Sequence, residues 1–76
     1  MKFNFGSFND GEIKFARTNY NGFTVEFQGW NSTTQPYDKV IVAKDNETLF
    51  VGRNICLDSV SEENVKHYVS EALKQG

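Results

Sequence analysis

The sequence predicts an α+β domain: a four- or five-stranded antiparallel sheet, wound as a meander, with one C-terminal α-helix packed on one face. Three observations predict it. Apolar residues recur with a period of two up to about residue 57 and with a period near 3.6 afterwards. Gly-containing turn signals, Asn9-Asp10-Gly11 and Asn21-Gly22, separate the aromatic runs of the first part. Val65, Tyr68, Val69, Ala72 and Leu73 fall at offsets of 0, 3, 4, 7 and 8, which is one face of a helix.

The elements follow in order, within one domain spanning 1–76. Strands are expected near 2–8, 12–18, 23–28, 37–44 and 48–57, and a helix near 62–75. Aromatics alternate with polar residues in Phe3-Asn4-Phe5, Ile13-Lys14-Phe15 and Phe23-Thr24-Val25-Glu26-Phe27, as in half-buried strands. Three-residue turns at Asn9-Asp10-Gly11 and Tyr20-Asn21-Gly22 would oppose Phe5 to Phe15 and Phe15 to Phe27. That register gathers Phe3, Phe5, Ile13, Phe15, Phe23, Val25 and Phe27 on one face and leaves Phe8 on the other. A two-residue Asn-Gly turn would instead put Phe15 opposite in face to Phe27, and a bulge at Gly6-Ser7 would return Phe8 to the core. Residues 37–44 and 48–52 flank the Lys44-Asp45-Asn46-Glu47 turn and are apolar on successive residues, so both faces call for cover, as in the middle of a sheet. Ile55-Cys56-Leu57 continues the last strand past Gly52 or forms a short extra one. Ser61 is a natural N-cap, Val60 can staple onto Val65, Glu62 and Glu63 suit the positive first turn, and Lys74 with Gly76 closes the helix.

Composition narrows the function classes. A chain of 76 residues seldom gains more than about 3 to 5 kcal/mol from its core without a staple. Its single Cys cannot close an intramolecular disulfide, and one Cys with one His cannot build a structural zinc site. Good packing or association must serve instead. Eleven aromatics argue against disorder. No apolar leader or membrane-length run is present, and a chain with one Cys suits a reducing cytoplasm. The formal net charge is −2, and acidic and basic residues mix evenly along the chain. Duplex nucleic-acid binding draws on clustered Lys and Arg, so this balance disfavours it. The sequons at Asn31 and Asn46 are incidental in a chain with eight Asn.

Catalytic patterns are lacking, and neither an enzyme nor a cofactor or metal site is expected. His67 falls on the polar side of the helix at i+4 from Glu63, where a solvated histidine is ordinary. Cys56 lies between Ile55 and Leu57 and reads as a small buried apolar residue. Asp45-Asn46-Glu47 is too short for a calcium loop. There is no Gly-rich phosphate loop, nucleophile elbow or Cys/His metal spacing. The Phe23–Phe27 strand lacks the flanking Lys/Arg of an RNA-stacking strand and reads as core.

One segment stands apart. Trp30 and Pro36, each the only one of its kind, lie with Tyr37 along Phe27–Asp38, a polar stretch without a regular period. Trp30 either folds back to cap the core or joins Pro36 and Tyr37 as partner anchors on a loop of about eight residues, long for a compact domain. With Phe8, Ile41 and Phe50 these residues form the expected partner-binding set, on a second apolar surface away from the helix; such surfaces usually meet a partner or a second copy. The leading expectation is a protein-interaction module. In the order of its elements the chain resembles small phage-encoded accessory and inhibitor proteins, some anti-CRISPR proteins among them. That likeness implies action by occupying a surface on a larger machine and carries over no site residue. Two other readings stand beside it. One is a single-stranded nucleic-acid binder stacking bases on Trp30, Tyr37 and Phe8, with Lys14, Arg17, Lys39 and Arg53 on the backbone. The other is a non-catalytic structural subunit, such as a homodimer.

Overall fold

A computed structural model of the chain describes residues 1–32 and 35–75. Five strands, β1 (Asn4–Phe8), β2 (Ile13–Tyr20), β3 (Phe23–Trp30), β4 (Tyr37–Lys44) and β5 (Glu47–Leu57), precede one helix, α1 (Glu62–Gln75). The sheet is an antiparallel meander in the order β1-β2-β3-β4-β5, with α1 packed on one face. Gly76, expected to close the helix, and Thr33 and Thr34 of the long connection lie outside the described residues.

The turns set the register, and they are not the three-residue ones. Tyr20 pairs with Phe23, so only Asn21 and Gly22 connect them, at φ of 49° and 84°. Two successive left-handed residues make the turn whose twist matches that of the flanking strands, and Asn-Gly is its favoured pair. Phe15 therefore opposes Gln28, and Ala16 opposes Phe27. The β1–β2 turn is four residues long, residues 9–12, closed by Glu12 N donating to Asn9 O at 3.2 Å. Phe5 thus meets Ala16 rather than Phe15, and β1 runs from Asn4 to Phe8 without a bulge. Asp45 and Asn46, at φ of 53° and 64°, build a second two-residue turn between Lys44 and Glu47.

This register sorts the side chains differently from the expected all-Phe face. On the helix side one row crosses every strand: Phe5, Ala16, Phe27, Val40 and Gly52. Beside it run Thr18, Val25, Val42 and Phe50. Ala16, Phe23, Val25, Phe27, Val40 and Val42 are buried here with Val65, Val69 and Ala72 of the helix. Tyr68 seals the contact, edge-on to Phe27 and stacked on Phe50 at centroid distances of 6.0 and 6.4 Å. Gly52 makes room for this packing, since a Cβ there would stand 2.9 Å from Val40 Cγ1 and 3.2 Å from the Phe50 ring. The one buried polar side chain among the described residues, Thr18, donates its hydroxyl to Lys2 O at 2.6 Å. Ile13 and Phe15, expected in this core, stand on the opposite face.

The helix is capped as its sequence implies: Asn64 N donates to Ser61 Oγ at 3.3 Å, and Val60 packs against the core beside Val65. Its apolar stripe ends one residue early, because Leu73 is 62 % exposed. The helix lies chiefly over β3, β4 and β5. Phe5, on the helix side of β1, is consequently 67 % exposed. The second hairpin also departs from expectation. β4 is interior, but β5 is an edge strand, and left-handed Asn54 and Cys56 (φ 59° and 53°) break its alternation, turning Cys56 outward instead of burying it. No described helix is long and apolar enough to cross a membrane.

Candidate functional site

The face of the sheet away from the helix is built from three rows. Phe8, Ile13 and Trp30 lie opposite one another at one end. Gly6, Phe15, Gln28, Lys39 and Arg53 form the next row, and Asn4, Arg17, Glu26, Ile41 and Val51 the one after. Gly6 carries the covering of Phe15: ring atoms of Phe15 stand 2.6 and 2.8 Å from where a Gly6 Cβ would be, so the aromatic side chain lies on bare backbone. Phe8 tilts against Phe15 at 6.2 Å between centroids, and the Arg17 guanidinium lies 5.1 Å above the same ring. Arg17 also donates through Nε to Glu26 Oε1 at 2.6 Å, and Gln28 donates to the other oxygen of that carboxylate. Cross-strand pairs of this kind stabilise a sheet by roughly 0.2 to 1 kcal/mol each. The centre of the face is therefore knitted together internally.

Its end is not. Trp30 is 56 % exposed and Phe8 42 %, and they border an open cleft of about 260 Å³ with Ile13, Gln28, Gly29, Asp38 and Lys39. A second hollow of about 230 Å³ lies beside it among Asp38, Lys39, Arg53 and Asn54. Lys39 faces Arg53 across β4 and β5, and neither forms an ion pair among the described residues. The cleft thus has an aromatic lip and a charged floor.

Behind Trp30 the chain is held down. A Cβ at Gly29 would stand 2.6 Å from Pro36 O and 3.0 Å from Tyr37 Cα, so only glycine lets the returning backbone lie this close. Lys14 Nζ donates to Gln35 O at 2.7 Å and Ser32 O at 3.3 Å, and sits 4.6 Å over the Tyr37 ring. Asn31 ties the end of β3 to the first turn, Nδ2 donating to Gly11 O at 2.7 Å and N to Glu12 O at 2.8 Å. Burial pushes the Tyr37 hydroxyl pKa above its ordinary value.

The expected partner-binding set is split by these contacts. Trp30 and Phe8 come together on the open face, and Trp30 does not cap the core. Ile41 shares that face but is half-buried within it, beside exposed Val51. Phe50 belongs to the helix side, stacked on Tyr68, because it pairs with Val42 rather than Ile41. Tyr37 is buried and Pro36 half-buried against Gly29, so neither projects as an anchor. Of the four cations set against a nucleic-acid backbone, Lys14 and Arg17 are engaged within the protein, leaving Lys39 and Arg53. Ile13 and Phe15 were missed as members of this face; the Asn21-Gly22 pair, taken as a two-residue turn, was the signal that places them.

His67 is exposed on the helix, its ring edge-on to Tyr68 at 4.8 Å. Among the described residues no three His, Cys, Asp or Glu side chains gather in a way that could hold a metal ion. Comparison with protein-family models, with curated proteins and with solved structures finds no match, so the α+β meander and its open face stand on their own geometry.

Proposed function

We propose that this protein acts by binding another protein through the open face of its sheet, with Trp30 and Phe8 as the anchors. The carrying observation is Trp30, more than half exposed at the lip of a cleft with a Phe beside it and Asp38, Lys39 and Arg53 around it. Large aromatics ringed by polar and charged groups are what interface hot spots are made of. Such an arrangement needs no catalytic group, and its mode of action is surface occupation, as in the phage accessory and inhibitor proteins whose element order the chain resembles. Affinity capture from a native lysate with the wild-type protein and with Trp30→Ala tests the reading. The expected result is a partner lost with Trp30→Ala while the melting temperature is unchanged; an identical captured set would overturn it.

A second reading is favoured by one observation, the Lys39–Arg53 pair placed beside Trp30. A single strand stacking on Trp30 and Phe8 could run its phosphates along these two cations. Two phosphate contacts give a log–log salt slope of only about −1.4, from roughly 0.7 per contact on single strands. Quenching of Trp30 fluorescence by an oligonucleotide, with that slope, would favour this reading over the protein partner.

A further inference from the structure

We infer that the partner of the open face is an acidic segment of another protein, one that seats an apolar side chain in the cleft beside Trp30 and Phe8 and a carboxylate between Lys39 and Arg53. This rests on the protein-binding role proposed for that face and names the chemistry it selects. Lys39 and Arg53 are Cα partners across β4 and β5. Like charges directly opposite each other, with Cβ atoms about 4.5 to 5.5 Å apart, weaken a sheet. Lys14 and Arg17 are engaged within the protein, the one by two carbonyls and the other by Glu26. Neither Lys39 nor Arg53 has an ion pair, hydrogen bond or ring contact among the described residues. Asp38 lines both hollows beside them but lies beyond ion-pair distance of either. The fold thus sets two repelling cations side by side, one of them half-buried, and supplies no anion to separate them.

The charge of the face decides what relieves them. Its rows carry Arg17, Lys39 and Arg53 against Glu26, with Asp38 at the cleft. The face therefore holds a surplus of positive charge on a chain whose formal net charge is −2. Glu26 is already taken by Arg17 and Gln28, so an incoming carboxylate meets the two free cations. Arg offers it a fork of two N–H groups and Lys a point charge from the other side. The spacing suits a peptide. Trp30 stands two residues along β3 from Gln28, which Lys39 opposes, so strand rise and strand spacing put it roughly 8 Å from Lys39 and 12 Å from Arg53. An extended segment covers that span in about two to four residues. A nucleic-acid strand carries a phosphate at every step and would set one against Asp38, whereas a peptide places a single carboxylate on the cations and stays neutral elsewhere.

Selection of random phage-displayed dodecapeptides on the wild-type chain, followed by titration of the synthetic winners, tests the inference. Trp30 is the only Trp, so its fluorescence reports the cleft directly. The expected winners join a Leu, Phe or Tyr to an Asp or Glu about two to four residues away. They should bind about tenfold more weakly to Arg53→Glu, which loses one exposed attraction and gains one repulsion. That variant should also melt a few degrees higher than wild type, because Lys39 then faces an opposite charge. Binding lost without a fall in melting temperature cannot come from misfolding. Trp30→Ala should lose the same peptides. A selection that yields no binder overturns the inference. Binders with no excess of Asp and Glu also overturn it, and if they depend on Trp30 the protein-binding role still stands. Acidic peptides indifferent to Trp30→Ala overturn both. A lower melting temperature in Arg53→Glu removes the repulsion from which the inference starts and overturns it. A thymidine dodecanucleotide that binds more tightly than every selected peptide overturns it in favour of a single strand.

Discussion

Gly29 has the least latitude of any residue described. An added methyl meets backbone atoms of Pro36 and Tyr37, which cannot rotate away as a side-chain end can, so Gly29→Ala must lift the returning segment off the sheet. A cost of about 1 to 3 kcal/mol is typical of such overpacking. Thermal unfolding should show a clear fall in melting temperature, and no change would mean that the segment is not held there. Tyr37, in that segment, has its pKa raised by burial, and Tyr68 has its own raised by burial and then by the Glu71 carboxylate. The sign follows from linkage. The unfolded chain loses these protons first, so their contribution is complete below the ordinary tyrosine pKa of about 10 and is lost as pH rises past it. Melting temperature should therefore drop on going above that pH, and less steeply in Tyr37→Phe. The exposed aromatics Trp30 and Phe8 were legible as site candidates in the sequence. Tyr37 was not legible as core, because its burial depends on a close approach to Gly29 across a loop, which no periodicity records.

At the level of elements, alternation of apolar residues located each strand, and the stripe with its cap located the helix. Ser61→Ala removes the hydroxyl that accepts from Asn64 N and should cost about 1 kcal/mol, readable in a urea titration as a lower midpoint at constant slope. Register was the harder problem. Requiring Phe15 and Phe27 to share one face forces a three-residue turn at Tyr20-Asn21-Gly22, whereas the backbone prefers two left-handed residues matched to strand twist. The assumption failed at Phe15, which rests on Gly6 of the neighbouring strand and so is covered without entering the core. The end of β5 was also opaque: Asn54 and Cys56 at positive φ break the alternation that would have buried the thiol, and nothing in the residue pattern announces it.

Over the whole molecule, the stabilising contacts are lopsided. Helix and sheet enclose Phe27, Val25, Val40, Val42 and Val65 completely, while β1 has a neighbour on one side only and little helix above it. Phe27→Ala should cost about 3 to 5 kcal/mol, enough to unfold a domain of this size, whose net stability is itself only about that large. Circular dichroism at room temperature would show the loss. Amide exchange should proceed first from β1 and last from β3 and β4, since local opening follows the density of buried contacts; uniform protection across the sheet would contradict that gradient. Cys56, a free and exposed cysteine, lies on β5, at the edge of the sheet opposite β1. Air oxidation would join two molecules there through a disulfide. A preparation left without reductant should therefore accumulate a covalent dimer that thiol treatment cleaves.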